Sequence, residues 1–134
     1  MRSFPLQIVT ADGMVFDGQA ESISVRAAGG DMSVQAGHCD YVTVLGMGQA
    51  RLIVDGKVRT AACIGGMLSV VDGAVTLVPT TFEWAESIDL SRAEASLQRA
   101  DKVLHDKASS DTDLRLAEAR LRRALVRKSV ASNL

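Results

Sequence analysis

Ala74-Val75-Thr76-Leu77-Val78-Pro79 and, a short way on, Ile88-Asp89-Leu90-Ser91-Arg92-Ala93 bracket the point at which this chain changes its hydrophobic period. The first stretch alternates β-branched and apolar residues ahead of a proline, which predicts a strand. From the second, Leu90, Ala93, Leu97, Ala100 and Leu104 recur at intervals of three and four, which places one apolar stripe on a helix. Upstream, Leu6-Gln7-Ile8-Val9-Thr10, Glu21-Ser22-Ile23-Ser24-Val25 and Arg51-Leu52-Ile53-Val54 repeat the strand pattern. Asp12-Gly13, Asp55-Gly56 and Asp72-Gly73 stand between such runs, where left-handed turn conformations cost these residue types least. Many short strands joined by tight turns predict an antiparallel β-sandwich or flattened barrel.

Downstream, Asp106-Lys107-Ala108-Ser109-Ser110 interrupts the helical pattern, and Leu114, Ala117, Leu121 and Ala124 resume it. Two helices with a short polar connection predict an antiparallel hairpin. Ser87 or Asp89 would cap the first helix, with Ser91 and Glu94 as a further capping box, and Ser110 or Asp111 would cap the second. The expected organisation is therefore α+β: a sandwich over 1–86 and a helical hairpin over 87–134. Alanine alternating with leucine lets the helices approach closely but offers little apolar area, so the position of the hairpin is expected to respond to a partner or ligand.

The chain has 134 residues, of which 47% are hydrophobic and 23% charged, the balance of a folded globular protein. The formal charge of −1 hides an asymmetry: five basic and nine acidic side chains precede residue 88, and ten and seven follow. The basic end suits an anionic partner. Met1-Arg2-Ser3 runs directly into strand-like sequence, so no leader peptide and a cytoplasmic site are expected. Cys39 and Cys63 lack any paired or metal-ligand spacing and are expected to be small buried thiols, with no metal site. No Gly-Lys-Ser/Thr phosphate loop is present, so no hydrolysis by this chain is expected.

Taken in order, Ile8-Val9-Thr10, Val15-Phe16-Asp17-Gly18, the Gly-His pair in Ala36-Gly37-His38-Cys39-Asp40, Ile64-Gly65-Gly66-Met67, Ile88-Asp89-Leu90-Ser91-Arg92-Ala93 and Arg122-Arg123-Ala124 through Val130-Ala131 give the chain its likeness. It resembles the epsilon subunits of bacterial F-type ATP synthases, the homologues of the mitochondrial delta subunit. The loop around His38 lacks the two prolines usual in that family, and Gly29 through Ala36 departs from it most. The resemblance implies a non-catalytic rotor-stalk subunit on the cytoplasmic face of a bacterial inner membrane, held there only through its complex. Its partners would be the gamma subunit, the membrane rotor ring of c subunits and the alpha/beta catalytic hexamer.

By the same resemblance, the hairpin folds down or extends, and in the extended form blocks ATP hydrolysis. Asp31, where the family usually has Glu, and His38 would lie in loops facing the ring and gamma respectively. No cofactor is required, but ATP is expected as a regulatory ligand of the folded hairpin, on Glu83, Ile88, Asp89, Arg92, Ala93, Arg99, Arg123 and Arg127. The spacing is compatible: Arg92 and Arg99 are two turns apart, about 10 Å along a helix, and guanidinium forks suit phosphate oxygens. Asp89 is equally suited to capping a helix, and arginines on a helix commonly form a solvated face. Arg115, Arg120, Arg122, Arg123 and Arg127 would carry the inhibitory contact, in competition with ATP for the shared arginines.

Two other classes compete. Asp55-Gly56-Lys57 superficially resembles the lysine-bearing hairpin of a lipoyl or biotinyl carrier, although Val58 is the wrong neighbour. The basic terminus also suits a nucleic-acid-binding hairpin, yet no aromatic residue lies beyond Trp84 to stack on a base.

Overall fold

The computed structural model describes residues 2–132. The chain divides into two compact units between Trp84 and Ala85. The first unit contains ten strands: β1 Phe4–Thr10, β2 Gly13–Ala20, β3 Ser22–Ala27, β4 Gly30–Gln35, β5 Tyr41–Val44, β6 Met47–Val54, β7 Lys57–Ile64, β8 Met67–Val71, β9 Ala74–Val78 and β10 Thr81–Trp84. They form two five-stranded sheets, in the orders β2-β1-β9-β8-β5 and β10-β7-β6-β3-β4. Inward-facing Leu6, Ile8, Leu68, Val70, Val75 and Leu77 from the first meet Ile23, Val25, Val34, Leu52 and Ala61 from the second in one core. Alternation along each strand is what sends these side chains to a common side.

The expected antiparallel sandwich is present, with one exception in its pairing. β1 runs parallel to β9, with Leu6 beside Val75 and Ile8 beside Leu77. Tight hairpins determine neighbours close in sequence, whereas this pair is joined only by the full path of the sandwich.

At Asp55-Gly56 and Asp72-Gly73 both residues have positive φ, as the turn chemistry predicts. The first Asp-Gly differs: Thr10 pairs with Gly13, so Ala11 and Asp12 make the turn and Gly13 already belongs to β2. Gly65 and Gly66, both at positive φ, bend the chain from β7 to β8, and a Cβ on Gly66 would collide with the Val78 carbonyl. Pro79 does not close the sheet region. β10 follows it and pairs with β7, and Trp84 stacks under the Arg59 guanidinium, 3.6 Å from the ring centroid.

The second unit begins with a 3-10 turn, Ala85–Ser87, and continues as α1 Leu90–Leu104 and α2 Asp111–Ser132. Asp89 is the cap of α1, its Oδ1 accepting from Arg92 N at 3.0 Å; neither Ser87 nor the Ser91/Glu94 box takes that position. α2 starts with a reciprocal box: Ser110 Oγ accepts from Asp113 N at 3.1 Å, while Asp113 Oδ2 accepts from Ser110 N at 3.3 Å. Between the helices, the Asp106 carboxylate accepts from Ala108 N, and Ser109 Oγ donates to Val103 O, which fixes the turn.

Within the hairpin, the buried residues of α1 are Ala93 and Ala100, and those of α2 are Ala117, Ala124 and Val130. The leucines of the expected stripe do not share their burial: Leu97, Leu104, Leu114 and Leu121 are half-buried and Leu90 is exposed. Close approach through alanines leaves the longer side chains to splay along the flanks of the seam.

Candidate functional site

The hairpin carries a groove of about 810 Å³ lined by residues of both helices. Arg99 and Lys102 enter it from α1, and Arg120, Arg123 and Arg127 from α2, one or two turns apart on neighbouring faces. Its floor includes Ala100 and Ala117 of the seam, and Ser96 and Ser109 add hydroxyls. The acidic residue in its wall is Asp113, which is engaged in capping α2. Among the described residues, no carboxylate lies within ion-pair distance of Arg99, Lys102, Arg120 or Arg123. Cations gathered around one concavity give it the chemistry that suits an anion.

Of the expected nucleotide residues, the structure brings Arg99, Arg123 and Arg127 together. Asp89, exposed, and Arg92, exposed on the first turn of α1, do not line the groove, and Ala93 is in the seam. Ile88 is half-buried and donates its N–H to Ala85 O. Glu83 is half-buried on β10, in the first unit. The arginines expected to make inhibitory contacts also divide. Arg120, Arg123 and Arg127 line the groove, whereas Arg115 is exposed elsewhere on α2 and Arg122 pairs with Glu118 at 3.0 Å. Lys102 was not anticipated, although its place three residues after Arg99 put it on the same helical face.

On the sandwich, Asp31 is in β4 rather than in a loop, because the β3–β4 hairpin continues to Gly30 and sets Asp31 opposite Arg26. Their exposed charges are 3.7 Å apart. His38 does lie in a loop; its Nδ1 is 2.7 Å from Cys39 O and its ring meets Tyr41 edge-on. Asp31 and His38 line one depression of about 430 Å³ together with Met32, Cys39 and Tyr41. Cys39 is exposed, contrary to expectation, because it occupies the Gly37–Asp40 loop and not a strand. Cys63 is buried, and desolvation pushes its thiol up to about 12, so it stays protonated and inert at neutral pH.

The outer side of the first sheet is unusually apolar. Val42 and Val44 on β5, Met67 and Val71 on β8 and Val78 on β9 are about half exposed, and the pairings Val44 with Met67 and Met67 with Val78 put them on one face. An exposed apolar face of this kind marks a protein-interaction surface.

A sheet-built body with an apolar docking face, followed by a cationic hairpin held by an alanine seam, defines a two-module assembly subunit. The beta-sandwich domain model of the ATP synthase Delta/Epsilon chain matches residues 3–85, and its long alpha-helix domain model matches residues 86–132. The chain thus belongs to the ATP synthase delta/epsilon chain family. It is 44% identical over 133 residues to the ATP synthase epsilon chain of Bacillus velezensis, covering 99% of this chain and 100% of that one. The Bacillus subtilis epsilon chain is 44% identical over 86% of each chain, and that of Ruminococcus albus 35% identical over 98% of each.

Among solved structures, a chain of the Euglena gracilis mitochondrial ATP synthase OSCP/F1/c-ring assembly shares the fold with a TM-score of 0.84. It is 21% identical and is covered to 82%, against 98% of this chain. A chain from the Tetrahymena thermophila mitochondrial ATP synthase central stalk/c-ring matches with a TM-score of 0.62, at 13% identity over 97% of each chain. Among the described residues, no helix is long and apolar enough to cross a membrane. The family match over both units removes the carrier and nucleic-acid readings.

Proposed function

We propose that this chain is the epsilon subunit of the central stalk of an F-type ATP synthase, with no catalysis of its own. In this reading the sandwich docks on the gamma subunit through the apolar face of Val42, Val44, Met67, Val71 and Val78 and the loop of His38, and on the c ring through the region of Asp31. Charge pairs at an exposed site contribute about 0–1 kcal/mol each, so the apolar face supplies most of the hold. The chain is peripheral to the membrane, attached through the complex at its cytoplasmic face.

The hairpin is the regulatory part. The observation that carries this reading is the alanine seam beside a groove of clustered cations: the packing holds little energy, and the charges can be satisfied in two ways. Folded, the groove takes ATP on Arg99, Arg123 and Arg127. Extended, Arg123 and Arg127 with Arg115, Arg120 and Arg122 meet acidic surfaces of the alpha/beta hexamer and slow hydrolysis. A ligand that binds one arrangement better shifts the population toward it, so ATP relieves the brake.

The test is hydrolysis by complexes reconstituted with the full chain or with a chain ending at Glu86. Truncation is expected to raise the rate about five-fold or more, the lower end of common coupling energies. An unchanged rate rejects the brake.

A further inference from the structure

We infer that Asp40 is a positioning residue for docking on the gamma subunit: its carboxylate pins the His38 loop to the β8–β9 turn and so sets that loop in line with the apolar face of the first sheet. The inference rests on the docking reading given above and adds to it the residue that fixes the geometry of the contact.

The pin joins residues far apart in sequence. Asp40 Oδ1 accepts from Asp72 N at 2.9 Å. Asp72, at φ 49°, opens the left-handed turn between β8 and β9. β5 is the edge strand of its sheet and pairs there with β8, from Tyr41 beside Val70 to Val44 beside Met67. Backbone pairing ends at Tyr41, and the side chain of the residue before it takes up the amide that lies past the end of β8.

Without this bond the loop has little to hold it. Among the described residues its other hydrogen bonds are local: His38 N donates to Gln35 O at 3.2 Å, and His38 Nδ1 is 2.7 Å from Cys39 O. Gly37 has a positive φ, and no proline fixes the backbone between Ala36 and Asp40. The far end of β5 is different, fastened by backbone bonds from Ala28 N to Val44 O at 2.9 Å and from Leu45 N to Gly66 O at 2.8 Å. A short edge strand secured at one end opens from the other, and Asp40 stands at that other end.

What Asp40 aligns is a contact surface. On one side of it are the exposed Cys39 and His38, whose ring meets Tyr41 edge-on. On the other are Val42 and Val44 of β5, and Val71, which directly precedes Asp72 on β8. Loop and face are thus held as one surface that a partner meets ready-made. A released loop would bind only in proportion to the fraction of time it spends in place.

Calorimetric titration of the full chain into an alpha/beta/gamma assembly lacking it tests the assignment, with amide exchange at Asp72 followed by NMR on the free chain. Asp40→Ala is expected to weaken binding about five-fold and to raise exchange at Asp72 about five-fold. Asp40→Asn loses the charge but keeps the acceptor oxygen, and is expected to bind within about two-fold of the unaltered chain. Denaturation followed by Trp84 fluorescence should give one midpoint for all three, since Asp40 and Asp72 lie outside the core.

If the unaltered chain does not bind, the docking reading falls and the inference with it. Binding by Asp40→Ala within about two-fold of the unaltered chain overturns the inference and leaves the docking reading standing. Exchange at Asp72 that ignores Asp40→Ala does the same, because the bond would then hold nothing. Asp40→Asn as weak as Asp40→Ala overturns it in favour of charge attraction between Asp40 and gamma. A midpoint that drops in step with the weakened binding overturns it in favour of a purely structural role.

Discussion

The sandwich and the hairpin bury different amounts of side chain for the same purpose. In the first unit, Leu6, Ile8, Ile23, Leu52, Leu68 and Leu77 are completely enclosed between two sheets. In the second, the buried residues of the two helices are four alanines and Val130, while Leu116 and Leu125 remain about half exposed. Fully burying a leucine or isoleucine contributes about 1.5–3 kcal/mol, whereas the single methyl of an alanine contributes under about 1 kcal/mol. One architecture is therefore over-determined by its core, and the other depends on its caps, its turn and whatever binds its cations.

The largest effect expected from this contrast is in the sandwich. Leu52→Ala removes a side chain that spans the core from β6, and should lower the stability of the first unit by about 2–5 kcal/mol. Chemical denaturation followed by Trp84 fluorescence reads it out, because Trp84 is the only tryptophan and sits on β10. A shift below about 1 kcal/mol would mean that the sandwich is not held by its aliphatic interior, and the contrast would fail.

A smaller but more selective effect belongs to the seam. Ala117→Leu puts extra methylenes where the two helices touch, and overpacking costs about 1–3 kcal/mol. The expected signature is loss of helical signal at 222 nm at lower denaturant, with the Trp84 transition unmoved. If both transitions move together, the two units share one cooperative core and the hairpin is not separately adjustable.

Much of this division was legible from residues. The seven-residue intervals Ala93 to Ala100 and Ala117 to Ala124 announced the seam, and the Asp-Gly pairs announced two of three left-handed turns. What escaped is what spacing does not encode. The parallel pairing of β1 with β9 joins distant strands, and Pro79 looked like an end when it only precedes the edge strand β10. Asp31 was assigned to a loop by resemblance alone, yet the β3–β4 hairpin pairs as far as Gly30 and takes Asp31 into β4. Two caps of equal chemical merit, Asp89 and Ser87, cannot be ranked without knowing where the 3-10 turn ends. That Arg99, Arg123 and Arg127 line one groove was legible from helical spacing together with the resemblance, while Lys102, three residues after Arg99, was not picked out.

The finest test of the contrast is a cap, because a weakly packed helix should feel its ends where a well-packed sheet would not. Ser110 and Asp113 satisfy each other's backbone N–H groups at the start of α2. Ser110→Ala removes the acceptor for Asp113 N and should cost about 1 kcal/mol. In a unit whose seam is made of alanines, that is enough to raise amide exchange along the first turns of α2 about five-fold, from Asp111 through Ala117, since local opening already lies near the bottom of the stability scale. Exchange in β6 and β7 should not change. Equal protection of α2 in both proteins would show that the hairpin is locked by packing after all, and that its cationic groove is a fixed surface, not a switch.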